Sequence, residues 1–279
     1  MVSFKQFLTE NPYRPVGCSP ETLVEWAERN APQYLKRMAQ YPIFRGMDAP
    51  EYGIINTNGM NRTSANTLNY YTVWMDNDKD WEGYPKRSKA LICSTSSGTA
   101  NGFGETNLVI PADSNKIGIC SETDLWGAFS FLTQRLGVKY MSMDEFVSDT
   151  NNFLCLEFND AERAEAEKSY PKLVHALKTI TFEIAKLAEE RSLQPYLLAF
   201  EENGYKNLYD LWRDVMQPEE NDFKLETGAT FKVSYDVEVW TQGECAVINL
   251  DEFEKARSDM HHPLAAFINK HDLRGAIDH

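Results

Sequence analysis

Apolar runs of strand length lie toward both ends of this chain, and a block with helical spacing separates them. Tyr41–Gly46, Ser88–Thr95, Leu108–Ile110 and Ile117–Ile119 are short and apolar, with turn residues around them. Phe231–Val239 alternates apolar and polar residues, as a half-buried strand does, and Glu244–Leu250 is a second run after the turn Gln242-Gly243. That pair predicts a hairpin. Between the two groups, Asp160–Leu193 predicts a long helical stretch that restarts near Pro171. Its apolar residues Leu173, Ala176, Leu177, Ile180, Ile184 and Leu187 fall on one helical face. A further helix is expected over Tyr205–Met216, with a loop at Pro218–Asn221. A sheet whose strands come from both ends, with helices between them, is an α+β arrangement. The 279 residues contain no repeat and no clear linker, so a single domain over 1–279 is expected. It would carry helices within 1–40 and a helical insertion at about 158–218.

Local signals refine this. Ser19-Pro20-Glu21 combines an N-cap, a proline in the first turn and an acidic residue near the helix start. Leu23, Trp26 and Ala27 give that helix its face, and Asn30 and Pro32 break and restart it before Tyr34, Leu35 and Met38. Ser142-Met143-Asp144-Glu145 reads as a capping box opening a short helix, and Thr123–Leu136 as helical. Asn56–Asn66 is polar and irregular. Leu68–Lys86 is rich in turns and aromatics, and Tyr70–Trp81 is expected to serve packing rather than base stacking.

Charge narrows the partners. There are 28 Lys and Arg against 42 Asp and Glu, a net −14. Such a body repels phosphates at long range, which argues against indiscriminate binding to nucleic acid or anionic membranes. No run approaches the roughly 18 apolar residues of a bilayer span, and Lys5 and Glu10 interrupt the first segment, so a cytoplasmic protein with no membrane partner is expected. Five cysteines without CxxC spacing suggest neither a disulfide framework nor a zinc site. Cys93, Cys120 and Cys245 read as core residues. The histidines form no HExxH pattern, and no metal is called for. The glycine patterns of dinucleotide-binding folds and phosphate-binding loops are missing, as is the GxSxG elbow.

Three segments end a strand with a polar group at a turn: Phe44-Arg45-Gly46, Ser94-Thr95-Ser96 and Gln242-Gly243-Glu244. Each alone is ordinary turn chemistry. In this order, each on a strand, they resemble the Arg…Ser-Thr-Ser…(Gln/Glu)-x-Glu signature of the ADP-ribosyltransferase family, on the side of its bacterial-toxin and phage branch. Ala90-Leu91-Ile92-Cys93 leads into the serines, Ala100-Asn101-Gly102-Phe103-Gly104 follows them, and Cys245-Ala246-Val247-Ile248 follows Glu244. The resemblance covers about residues 41–120 and 229–250.

The resemblance implies a split pair of bent sheets around an NAD cleft, and a mono-ADP-ribosyltransferase that releases nicotinamide from NAD. Glu244 would stabilise the positive charge growing on the ribose. Arg45 would hold the phosphates. Gly46 would let the backbone approach the nicotinamide closely. Ser94, Thr95 and Ser96 would order the ribose and the catalytic Glu, and Phe103 would stack on the nicotinamide. Gln242 would position the acceptor; an amide there disfavours arginine as acceptor. Glu238 is the alternative register for the catalytic carboxylate, with Glu244 preferred. Arg62, Lys86 and Arg87 are expected to supply cations that the acidic body needs to hold an anionic dinucleotide. A host protein is the favoured acceptor, ahead of nucleic acid. The rival readings are an NAD glycohydrolase on the same site and an inactive phage-type binding or virion protein.

Overall fold

The computed structural model describes residues 14–64, 67–187, 193–233 and 236–277. The segment before Arg14 and parts of two expected elements, residues 188–192 and 234–235, lie outside the described residues. The fold class is α+β: helices with one antiparallel sheet. The strands are β1 (Val16–Gly17), β2 (Ile43–Gly46), β3 (Tyr52–Asn56), β4 (Leu91–Ser94), β5 (Thr106–Pro111), β6 (Lys116–Ile119), β7 (Lys224–Thr227), β8 (Glu238–Gln242) and β9 (Glu244–Asn249). They join in the order β1-β3-β9-β5-β2-β4-β8-β6-β7, every neighbour antiparallel.

Where the sequence offers one domain with an insertion at about 158–218, the contacts divide the chain into two compact units. One is Met1–Ala65, Gly83–Thr123 and Lys224–His279; the other is Asn66–Glu82 and Asp124–Phe223.

The first unit holds the sheet. Its core is made of β-strand residues such as Ile43, Leu108, Ala246 and Ile248, packed with Leu23, Ala27 and Tyr34 from the N-terminal helices and Phe253, Phe267 and Ile268 from the C-terminal ones. Strand β9 lies between β3 and β5, and Cys245–Ile248 are fully buried, which is why this run is continuously apolar. The predicted cap forms: Ser19 Oγ accepts the Thr22 N–H at 3.3 Å and opens the helix Pro20–Asn30. The chain then restarts at Pro32–Leu35.

The sheet has a weak joint. β2 and β5 pair over four registers, and β4 and β8 over four, but β2 meets β4 at one pair only, Phe44 with Ser94. Two wings, β1-β3-β9-β5-β2 and β4-β8-β6-β7, are therefore linked through Ser94. The expected hairpin is corrected here. β8 pairs with β4 and β6, while β9 pairs with β3 and β5, so successive strands enter different wings. Gly243 between them has φ +123°, and a Cβ there would meet Asn115 Oδ1 at 2.3 Å. The corner needs glycine for both reasons. The expected strand Phe231–Val239 is also shifted, since regular pairing begins only at Glu238.

The second unit is helical. Its interior is aromatic: Trp74 lies 5.5 Å from both Tyr209 and Trp212, and Phe146 5.1 Å from Trp212, ring centre to ring centre. Trp212 Nε1 donates to Thr150 Oγ1 at 2.9 Å, so the indole is buried with its polar atom satisfied. Tyr70–Asn77, expected as turns, is a helix whose Tyr70, Tyr71 and Trp74 are buried, in keeping with a packing role. The helix opened at Ser142 runs over Met143–Leu154, and the Ser142 N–H donates to Glu145 Oε2 at 2.9 Å. The stretch expected as one long helix is several: Asp160–Ala166, Tyr170–Thr179 and Phe182–Ala185. Leu173, Ala176, Leu177 and Ile180 are buried as their spacing predicts, but Leu187 is 66% exposed because the helical register ends at Ile180.

Candidate active site at the joint of the sheet

Ser94 is the last residue of β4 and the point where the two wings meet. It pairs with Phe44 on one side and Glu238 on the other. Its hydroxyl donates to Asp236 Oδ1 at 3.1 Å and accepts the Ser96 N–H at 3.0 Å. Thr95 stitches the next residue pair: its Oγ1 accepts the Val237 N–H at 2.9 Å, and its own N–H donates to the Val237 carbonyl at 3.1 Å. Ser96 caps the short helix Ser97–Asn101 by accepting the Thr99 N–H at 3.2 Å. Thr99 Oγ1 returns to Asp236 Oδ2 at 3.0 Å. Ser94, Ser96, Thr99 and Asp236 thus form a closed ring of hydrogen bonds. The Asp236 carboxylate is exposed, with each oxygen held by a hydroxyl.

Arg45 comes from β2 at the same joint. Its Nη1 donates to the Ile92 carbonyl at 2.7 Å, while its buried Nε has no partner among the described residues. Burial lowers the pKa of this guanidinium, and the nearby Cys93 and Glu238 oppose the shift. Burial pushes the Cys93 thiol up to about 12, against the pull of Arg45 and Arg62. Arg62 is thus close enough to Cys93 to oppose that shift.

Glu238 is committed elsewhere. Its Oε1 lies 2.7 Å from Arg87 Nη2, with side chains 14% and 8% exposed, and the Arg87 guanidinium sits 5.6 Å from the Trp240 ring. Arg87 is thus paired inside the unit rather than presented to a ligand, a correction to its expected role. Lys86 is exposed, and its backbone N–H donates to Gln242 Oε1 at 3.0 Å.

Glu244 is not brought to Arg45 and Ser94. Arg45 pairs with Asn107 on β5, whereas the Glu244 carbonyl accepts the N–H of Ala112 at 3.2 Å. Five residues of extended chain separate those levels, about 16 Å at about 3.3 Å per residue. The Glu244 carboxylate is exposed at the other end of β9, where it accepts Trp26 Nε1 at 3.3 Å and Asn56 Nδ2 at 3.4 Å. Gln242 shares that end and donates to Asn58 Oδ1 at 3.1 Å. The catalytic and acceptor-positioning roles expected for Glu244 and Gln242 do not fit this placement, because the chain leaves the joint along β8 before reaching them.

Gly46 is at the joint, but its open face is filled by the chain itself. An added Cβ would lie 2.0 Å from the Ala100 carbonyl oxygen and 2.9 Å from Phe103 backbone and Cβ. Its missing side chain admits the Ser97–Asn101 helix, not a ligand. Phe103 is half-buried just beyond that helix.

Asp236 was not singled out from the sequence. A signal was present: Asp236-Val237-Glu238 has the same two-residue spacing as Gln242-Gly243-Glu244. Among the described residues, no group of three or more His, Cys, Asp or Glu is placed to hold a metal, and no helix is long and apolar enough to cross a membrane. No match is found to a protein family, to a curated protein or to a solved structure.

Proposed function

We propose that the joint of the sheet cleaves NAD and transfers ADP-ribose to a macromolecular acceptor, with release of nicotinamide. Asp236, rather than Glu244, is the catalytic carboxylate in this reading. The observation that carries it is that Ser94, at the register where β4 meets both β2 and β8, holds Asp236 by a hydrogen bond, with Arg45 on β2 next to Phe44, the residue paired with Ser94. The two wings, paired at the single register Phe44–Ser94 among the described residues and parted at Gly243, support an ADP-ribosyltransferase-like split sheet.

The chemistry follows from the groups. Breaking the bond between ribose and nicotinamide builds positive charge on the ribose. An exposed carboxylate fixed in place stabilises that charge without reorganising. Arg45 is the guanidinium beside Ser94 at the joint, a group suited to an anionic oxygen of the dinucleotide. Phe103 offers a ring to the nicotinamide, and Glu238 with Arg87 holds the strand behind the site. A protein is the acceptor favoured by the net charge of −14, since nucleic acid is repelled at long range.

The test is incubation with NAD labelled in the adenylate and, separately, in the nicotinamide, with and without cell lysate. Wild type and Glu244→Gln should release nicotinamide at similar rates, and Asp236→Asn should be slower by about a hundredfold or more. Equal rates for wild type and Asp236→Asn would exclude the assignment. Free ADP-ribose with no labelled macromolecule would make the protein a glycohydrolase.

A further inference from the structure

We infer that Thr99 is a positioning residue for the carboxylate of this site; the inference rests on the reading of Asp236 as the catalytic group. Thr99 stands outside the Ser94-Thr95-Ser96 segment, on the short helix that follows it. Two independent bonds fix it. Its N–H is held by the Ser96 cap at 3.2 Å, and its Oγ1 is 3.0 Å from Asp236 Oδ2. Gly46 lets the helix sit against β2, since any side chain there would strike the Ala100 carbonyl.

The geometry gives Thr99 a task that Ser94 cannot perform alone. Ser94 takes Oδ1 only, which leaves the carboxylate free to rotate about its Cβ–Cγ bond. A second hydroxyl on Oδ2 fixes the plane of the group. Each oxygen then keeps a lone pair for substrate, because a carboxylate accepts about four hydrogen bonds and the two hydroxyls take two. Asp236 is exposed and lies two residues before β8, outside its ladder. Its side-chain orientation therefore depends on these two hydroxyls. The role assigned to Thr99 is exerted through Asp236.

The experiment measures nicotinamide release over a range of NAD concentrations for wild type, Thr99→Val, Thr99→Ser and Asp236→Asn. Valine keeps the shape of threonine and removes the donor; serine keeps the donor. Thr99→Val should lower kcat by about tenfold to a hundredfold, with KM within about twofold of wild type, since misplacing a reacting group by about 1 Å costs that much. Thr99→Ser should recover most of the rate. A Thr99→Val enzyme with wild-type kcat, one altered only in KM, or a Thr99→Ser enzyme as slow as Thr99→Val would each overturn the inference. If Asp236→Asn is slow while Thr99→Val is not, the positioning role fails and the reading of the site stands. If wild type releases no nicotinamide, or Asp236→Asn matches wild type, that reading fails and takes the positioning role with it.

Discussion

Ser94 and Asp236 share a hydrogen bond of 3.1 Å although 142 positions separate them in the chain. The bond closes across the β4–β8 pair, next to the only register at which β4 also touches β2. Whatever binds at this joint meets residues from both wings of the sheet at once. Arg45 arrives from one wing and Asp236 from the other, and Ser94 belongs to the strand between them.

Arg45→Lys tests the first of these. Lysine keeps the charge and loses the planar fork, so it cannot hold the Ile92 carbonyl and an anionic oxygen together as a guanidinium can. The KM for NAD should rise by about tenfold, with a smaller fall in kcat. Initial-rate measurements decide it; an unchanged KM would mean that the buried guanidinium only braces β4.

The strands β4, β5 and β6 were legible because their residues are buried almost continuously, and a run of apolar residues carries that information locally. β8 and β9 were legible as strands and misread as a hairpin. A Gly between two apolar runs looks the same whether the strands turn back on each other or part company. What separates the cases is Asn115, which sits against Gly243 and comes from a distant loop. The preference for Glu244 over Glu238 does not match where the chain places Glu244, for a related reason. Spacing within a motif is written in the sequence, but the register of β8 on β4 is not. That register puts position 238 beside Ser94, four residues of strand from Gln242. β3 escaped notice because Tyr52-Gly53-Ile54-Ile55-Asn56 has a glycine in a five-residue run, and glycine ordinarily weakens a strand.

Gly46→Ala should couple stability to activity. The added methyl carbon would meet the Ala100 carbonyl oxygen at 2.0 Å, and the obstacle is backbone, so the Ser97–Asn101 helix must move. Overpacking of this kind costs about 1–3 kcal/mol. Denaturant unfolding should show that loss, and nicotinamide release should fall too, because the displaced helix carries Thr99. A variant with wild-type stability would show that the helix sits on β2 only loosely.

Acid should release a strut at the edge of the sheet. Glu252 accepts hydrogen bonds from Lys255 and from Tyr52 Oη at 3.0 Å, and His262 Nε2 lies 3.4 Å away. The Lys255 bond chiefly, with help from Tyr52 and His262 and against desolvation, lowers its pKa from the ordinary 4.5. A carboxylate whose folded pKa is depressed contributes stability above its unfolded value, and loses it as pH falls through the folded one. Glu252→Gln should therefore flatten the fall in unfolding free energy between neutral and acid pH, by on the order of 1 kcal/mol. Urea unfolding at a series of pH values measures this, and identical slopes for wild type and variant would show that the strut contributes nothing.

Thiol labelling probes whether the joint stays closed in solution. Cys155 is exposed, Cys18 is partly covered, and Cys93, Cys120 and Cys245 are buried. Cys93 precedes Ser94 on β4, and burial both shields its thiol and raises its pKa, which disfavours the reactive thiolate. Iodoacetamide on the native protein should modify Cys155 first and Cys18 more slowly, with Cys93 and Cys245 protected until denaturant is added. Peptide mass spectrometry after timed quenching reads the order. Labelling of Cys93 as fast as Cys155 would mean that β4 opens readily from β2 and β8, and a site that depends on Ser94 holding Asp236 would then be assembled only part of the time.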